Sequence, residues 1–190
     1  MHTWALFYYS AAKDLFLKPE FKAKATAALT RLAKLGHQFP EKKPRIFIVH
    51  GHDDAMKHEV ARTLEKLDLD PIILHEQPNK GRTIIEKITD YSNVSFAIVL
   101  FSPDDVAHPV GAPEKVKKRA RPNVVLELGY FLGRLGRERV IVLLKKDENF
   151  EIPSDFLGVL YIPFDKSWPL NLIKELKNRG LYIDANKLVD

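Results

Sequence analysis

Val94-Ser-Phe-Ala-Ile-Val-Leu-Phe101 is apolar at nearly every position rather than at alternate ones, so a strand formed from it needs cover on both faces. Strands of that kind lie at the centre of parallel sheets with helices packed above and below. The same kind of run recurs at Arg45-Ile-Phe-Ile-Val-His50, Pro71-Ile-Ile-Leu-His75, Arg139-Val-Ile-Val-Leu-Leu144 and Val159-Leu-Tyr-Ile162. Between the runs the apolar period changes to three and four: Met56, Val60, Leu64 and Leu67; Ile84, Ile85, Ile88 and Tyr91; Val124, Leu128, Phe131 and Leu135; then a closing helix over Leu170 to Arg179. Strands alternating with amphipathic helices predict an α/β domain, with five strands in a mainly parallel sheet and helices on both faces. Asp53 or Asp54 is the expected cap of the first of these helices, and Asn123 that of the third. Ser102 to Arg121 reads as one long loop.

The domain is expected over residues 44–181, followed by a tail at 182–190. Residues 1–43 read as a helical extension, with Trp4, Phe7, Tyr8 and Tyr9 at its start and Leu29, Leu32 and Leu35 on one helical face. Gly36 would close its second helix, and Phe39-Pro-Glu-Lys-Lys-Pro44 reads as a linker. At 45% hydrophobic the chain can fill a core, and no apolar run is long enough to cross a bilayer. With no membrane partner and no signal-peptide pattern, the cytoplasm is the expected location. The absence of cysteine excludes disulfides, thiolate metal sites and cysteine nucleophiles. The formal net charge is +5, and Lys115-Val-Lys-Lys-Arg-Ala-Arg121 holds five positive charges, which serve either a solvated loop or a polyanion. Nucleic acid is not the expected partner.

In open parallel sheets, ligands bind outside the carboxyl ends of the strands. That rim carries His50-Gly-His-Asp-Asp54, the loop Glu76-Gln-Pro-Asn-Lys-Gly-Arg82, Ser102-Pro-Asp-Asp105 and, through the long loop, Arg121-Pro-Asn-Val-Val-Leu-Glu127. Glu127 stands out as a carboxylate near the edge of an apolar helical face. Close to the positive end of the helix dipole, its charged form would be favoured while water is kept off it. The alternative is a boundary glutamate paired with Arg121 or Arg134.

His50-Gly-His-Asp53 shares the His-x-His-x-Asp spacing of metallo-β-lactamase-type metal loops, but Asp54 stands where that pattern has a further histidine, so no metal is expected. Neither a Gly-x-Gly-x-x-Gly turn nor a Gly-x-x-x-x-Gly-Lys-[Ser/Thr] loop is present, which removes dehydrogenase and kinase readings. A Gly-x-Ser-x-Gly elbow is also missing. Gly81-Arg82-Thr83, at a helix start, reads equally as a phosphate contact or as a capped helix with a solvated arginine.

Five blocks occur in order over about residues 45 to 180: Ile46-Phe-Ile-Val-His-Gly-His-Asp53, Leu74-His-Glu-Gln-Pro-Asn-Lys-Gly-Arg-Thr83, Val99-Leu-Phe-Ser-Pro-Asp-Asp105, Arg119-Ala-Arg-Pro-Asn-Val-Val-Leu-Glu-Leu-Gly-Tyr130 and Ile152-Pro-Ser-Asp155. Together they resemble the bacterial TIR-like nucleotide-binding family of anti-phage defence, found fused to STING-type or cyclic-nucleotide sensors. The resemblance implies a flavodoxin-like TIR fold and cleavage of NAD+ at the nicotinamide glycosidic bond, with Glu127 as the catalytic glutamate. NAD+ is then the substrate, and no separate cofactor is implied. His50, Gly51, His52 and Asp53 would lie beside the nucleotide, with Ser102, Asp104 and Asp105 opposite and Gly81, Arg82 and Asn123 as further contacts. The loop from Glu76 to Arg82 looks like the BB loop, which in TIR assemblies meets a neighbouring protomer, so self-association is implied. No sensor module is apparent in this chain, so a separate sensor protein is a further expected partner. A module that binds a nucleotide or another TIR domain without catalysis remains open.

Overall fold

The computed structural model describes residues 43–78, 81–153, 156, 158–181 and 183–188. The helices expected before Lys43, Asn79 and Lys80 of the BB-like loop, and Ser154 and Asp155 of the last block lie outside the described residues.

Among them, seven strands form two sheets: β1 (Arg45–Val49), β2 (Asp70–Ile73), β3 (Phe96–Phe101), β6 (Val140–Leu144) and β7 (Leu160–Pro163) in one, β4 (Asp105–Ala107) and β5 (Lys117–Arg119) in the other. The larger sheet is parallel throughout and ordered β2-β1-β3-β6-β7. Phe96–Phe101 is its middle strand and is buried at every position, as the unbroken apolar run requires. Strand order reverses between β1 and β3, since the chain leaves β1 for β2 and then returns to β1's other side. The crevice above those two strands is therefore the switch point.

The helices are α1 (Asp54–Lys66), α2 (Ile84–Tyr91), α3 (Pro122–Leu135) and α4 (Trp168–Asn178). Ile88 of α2 and Val124, Leu128, Phe131 and Leu135 of α3 share one core with Phe47, Val49, Val99 and Phe101. The alternate strand residues, Ile46, Ile48, Ile98 and Leu100, point to the opposite face and are fully buried. Met56, Val60 and Leu64 of α1 and Trp168 and Leu172 of α4 supply the cover there, and Trp168 Nε1 donates to Glu59 Oε1 of α1 at 2.9 Å. Beyond α4, Ile183 is buried and Ala185–Leu188 forms a 3-10 turn.

Several boundaries differ from the sequence reading, each for a local reason. The second strand ends at Ile73, because Leu74–Glu76 turns into a 3-10 helix. The middle strand starts at Phe96, two residues late, and α4 starts at Trp168, two residues early. Ser102 to Arg121 is not a plain loop, since β4 and β5 pair antiparallel within it. Asn123 does not cap α3. Pro122 takes the first helical position, where its missing N–H costs nothing, so Arg121 becomes the cap residue without a side-chain bond and exposed Asn123 falls inside the helix.

Ile84 and Ile85 are not core residues either: they are 64% and 69% exposed, and Ile88 is the buried isoleucine of α2. The helix begins only at Ile84, held there by a capping box in which Thr83 Oγ1 accepts the Glu86 N–H and Glu86 accepts the Thr83 N–H at 2.8 Å. Thr83→Ala is expected to lower stability by about 1 kcal/mol. Thr83→Ser, which keeps the cap, should be near neutral; chemical denaturation of the two variants checks this.

Candidate functional site

The loop after β1 distributes its polar side chains in three directions. His50 Nδ1–H donates to the Gly51 carbonyl at 2.9 Å, which leaves Nε2 to accept from His75 Nδ1–H at 3.0 Å. Burial, opposed by the Gly51 bond and reinforced by Lys57 and His75, holds the pKa of His50 below its ordinary value, so the ring is neutral at pH 7. His52 turns away, its Nε2 accepting from the Arg121 guanidinium at the start of α3. Asp53, rather than Asp54, caps α1: its Oδ1 accepts the Met56 N–H at 2.9 Å while Oδ2 meets Lys145 Nζ at 2.5 Å. Burial alone would raise the Asp53 pKa; Lys145 and the Met56 N–H outweigh it and hold the carboxyl below its usual value. Asp54 pairs with the buried Lys57 at 2.5 Å. The three side chains of the His-x-His-x-Asp spacing thus point apart, and among the described residues no three His, Asp or Glu groups converge as metal ligands.

Facing this loop, the end of β3 supplies Ser102 and Asp104. Asp104 Oδ2 accepts the His52 N–H at 3.0 Å, which ties the two loops across the switch point. Asp105 belongs to β4, opposite Arg119. Arg82 lies along α2, 3.7 Å from Glu86 and 3.4 Å from Asp90, and Gly81 occupies a turn with φ of 70°.

Glu127 is half-buried and has neither a hydrogen bond nor an ion pair among the described residues. The pairing with Arg121 or Arg134 does not form among the described residues; Arg121 bonds His52 instead. Burial pushes its carboxyl up to about 7, the reverse of the expected preference for the charged form. Right-handed crossovers through α2 and α3 lay these helices side by side on one face. The winding of α3 then turns Asn123, Glu127, Tyr130 and Arg134 toward α2, and Val125 and Leu132 toward β6 and β7. In keeping with this, Val125 lines an apolar groove of about 310 Å³ with Pro122, Glu151 and Pro153, on the flank of α3 away from Glu127.

Sequence reasoning missed Arg121, Lys145 and His75 as partners of the β1 loop. Lys145 directly follows a strand, so the rim rule that found Ser102 points to it too. Two of the five clustered cations are paired, Lys117 with Glu151 and Lys118 with Asp147, as in a solvated loop.

Residues 45–166 match the family model described as CAP12/Pycsar effector protein, TIR domain. The chain belongs to this family of bacterial anti-phage TIR proteins. The TIR domain is 49% identical over 146 residues to YuaY of Escherichia coli K12, covering 75% of this chain and 48% of YuaY. It is 39% identical over 152 residues to protein tirC of Dictyostelium discoideum, covering 76% of this chain and 73% of tirC. With the Pycsar effector protein BcPycTIR of Burkholderia cepacia it shares 31% identity over 131 residues, covering 64% of this chain and 40% of that one. It thus spans about half the length of YuaY and less of BcPycTIR. Among the described residues of the TIR domain, no helix is long and apolar enough to cross a membrane.

Proposed function

We propose that this TIR domain cleaves NAD+ at the bond between nicotinamide and ribose, with Glu127 as the catalytic group and no further cofactor. The observation that carries the reading is the state of Glu127: a half-buried carboxyl, unpaired among the described residues, on the flank of α3 that faces α2. A partly desolvated carboxyl without a partner costs stability, and groups of that kind cluster at functional sites. Glycosidases acting on ordinary sugars need a second carboxyl group to protonate the leaving oxygen. Nicotinamide departs as a neutral molecule, so one carboxylate suffices. Ionised Glu127 stabilises the oxocarbenium-like ribose as the bond breaks, or traps it, and water or a group of the substrate itself completes the reaction.

Only the ionised carboxylate offers this stabilisation, so nicotinamide release in the single-turnover regime should climb between about pH 6 and 8 as Glu127 loses its proton. A rate that is flat or falling over that range would speak against Glu127.

Self-association through the BB-like loop is part of the proposal, and the exposed Ile84 and Ile85 beside that loop support it. A separate upstream sensor, as in Pycsar-type defence, would then trigger assembly. The same two isoleucines also favour the second reading, a module that recruits other TIR domains without turning over NAD+. Incubating concentrated protein with NAD+, with and without a crowding agent, separates the two: nicotinamide accumulates under the first and not under the second.

A further inference from the structure

Gly51 lies directly beneath a carboxylate. A methyl group built on its Cα would stand 1.7 Å from Asp104 Oδ2 and 2.9 Å from Asp104 Cγ, so Asp104 fills the hollow that the glycine leaves. Gly51 is not among the positive-φ residues, so what glycine provides here is the close approach and not an unusual backbone. The carboxylate oxygen in the hollow accepts the His52 N–H, immediately ahead of the cap residue of α1, where the backbone presents positive charge. A second group aims at the same point. Ser102 Oγ lies 3.6 Å from the position of the added methyl, its residue is 1% exposed, and its hydroxyl has no hydrogen-bond partner.

Leaving a buried hydroxyl unpaired costs free energy that a ligand oxygen in the hollow would recover. The surrounding charges permit an anion: Asp53 is neutralised by Lys145, Asp54 by Lys57, and the Arg121 guanidinium rests on His52. Among the described residues, Asp104 is the acid that enters the hollow itself.

We infer that the hollow over Gly51 is a phosphate subsite that Asp104 occupies in the resting protein as an internal anion, to be displaced when a ligand's phosphate takes the His52 N–H and the Ser102 hydroxyl. This deepens the NAD+ reading, and rests on it only in assigning the subsite to the pyrophosphate of that substrate. Arg121 connects the two regions, because it touches His52 and is also the cap residue of the helix on which Glu127 sits about 9 Å further along the axis. Had Asp104 instead been placed to hold ribose hydroxyls, its removal would weaken nucleotide binding and leave a bare phosphate unaffected.

Calorimetric titration with inorganic pyrophosphate tests this, because the probe carries no ribose and no scissile glycosidic bond. Asp104→Ala should bind it at least about tenfold more tightly than the parent chain at the same ionic strength. Asp70→Ala, which removes the same charge at the far end of the sheet, should change affinity less than about twofold. Ser102→Ala in the Asp104→Ala background should lose several-fold. Gly51→Ala combined with Asp104→Ala should fold, since only the Asp104 side chain obstructs the new methyl, yet bind no pyrophosphate because that methyl fills the hollow. Equal binding by the parent chain and Asp104→Ala, or by Asp104→Ala with and without Gly51→Ala, would overturn the subsite. Since pyrophosphate binding does not involve Glu127, a chain that binds it as described but releases no nicotinamide would fail the proposed function alone.

Discussion

Glu127→Gln is expected to stabilise the domain by up to about 3 kcal/mol at pH 8 and to leave it unchanged at pH 4. In the folded protein the carboxyl is raised from 4.5 to about 7, and each pH unit is worth about 1.4 kcal/mol. The sign follows from proton binding. Between the two values the folded chain holds a proton that the unfolded chain has released, so stability falls as pH rises through the window and the full cost is present above 7. Below 4.5 both states are protonated and the cost vanishes. Glutamine imitates the protonated acid at every pH, so the gain should open between pH 4.5 and 7 and level off above it. For a domain of this size that is a rise in Tm of about 6–12 °C at pH 8. Thermal denaturation of both proteins across the pH range measures it, and a difference that does not vary with pH would show that Glu127 is not desolvated.

A second large effect is expected at Phe131→Ala, which should cost about 3–5 kcal/mol. Phe131 is fully buried in the seam between α3 and the sheet, with its ring 4.6 Å from that of Phe47 at an interplanar angle of 46°. Removing it empties the space that fixes α3, and among the described residues no hydrogen bond or ion pair holds Glu127 beyond the seating of that helix. The midpoint of urea denaturation should fall without a change in slope, and Phe47→Leu should show a coupling of about 0.5–1.5 kcal/mol with it. A loss under about 1 kcal/mol would mean that α3 is seated by other contacts.

The sheet was legible because burial dictates pattern. A strand that must be covered twice, like Phe96–Phe101, cannot alternate, and the helices on either side of it carry apolar residues at the spacing their own geometry demands. Ends of elements were less legible, since they turn on single local contests. Pro122 took the first helical position from Asn123, and the Thr83 capping box set a start that left Ile84 and Ile85 in solvent although they are as apolar as Ile88. Glu127 itself was conspicuous in sequence, because a carboxylate beside an apolar helical face is costly. Its raised pKa was not, because the degree of desolvation depends on how many neighbours crowd the side chain. The hollow over Gly51 was the least legible feature: Gly51, Ser102 and Asp104 were each chosen as rim residues, but nothing in a linear sequence says that a carboxylate fifty residues away fills the space a missing Cβ leaves.

Chromatography of NAD+ incubated with concentrated wild-type protein and with Glu127→Gln, side by side, tests the central claim most directly. Nicotinamide should appear with the wild type and fall by about a thousandfold or more with the variant, whose fold the denaturation curves verify. Equal release from the two proteins would contradict the role given to Glu127, and no release from either would leave the domain a binding module.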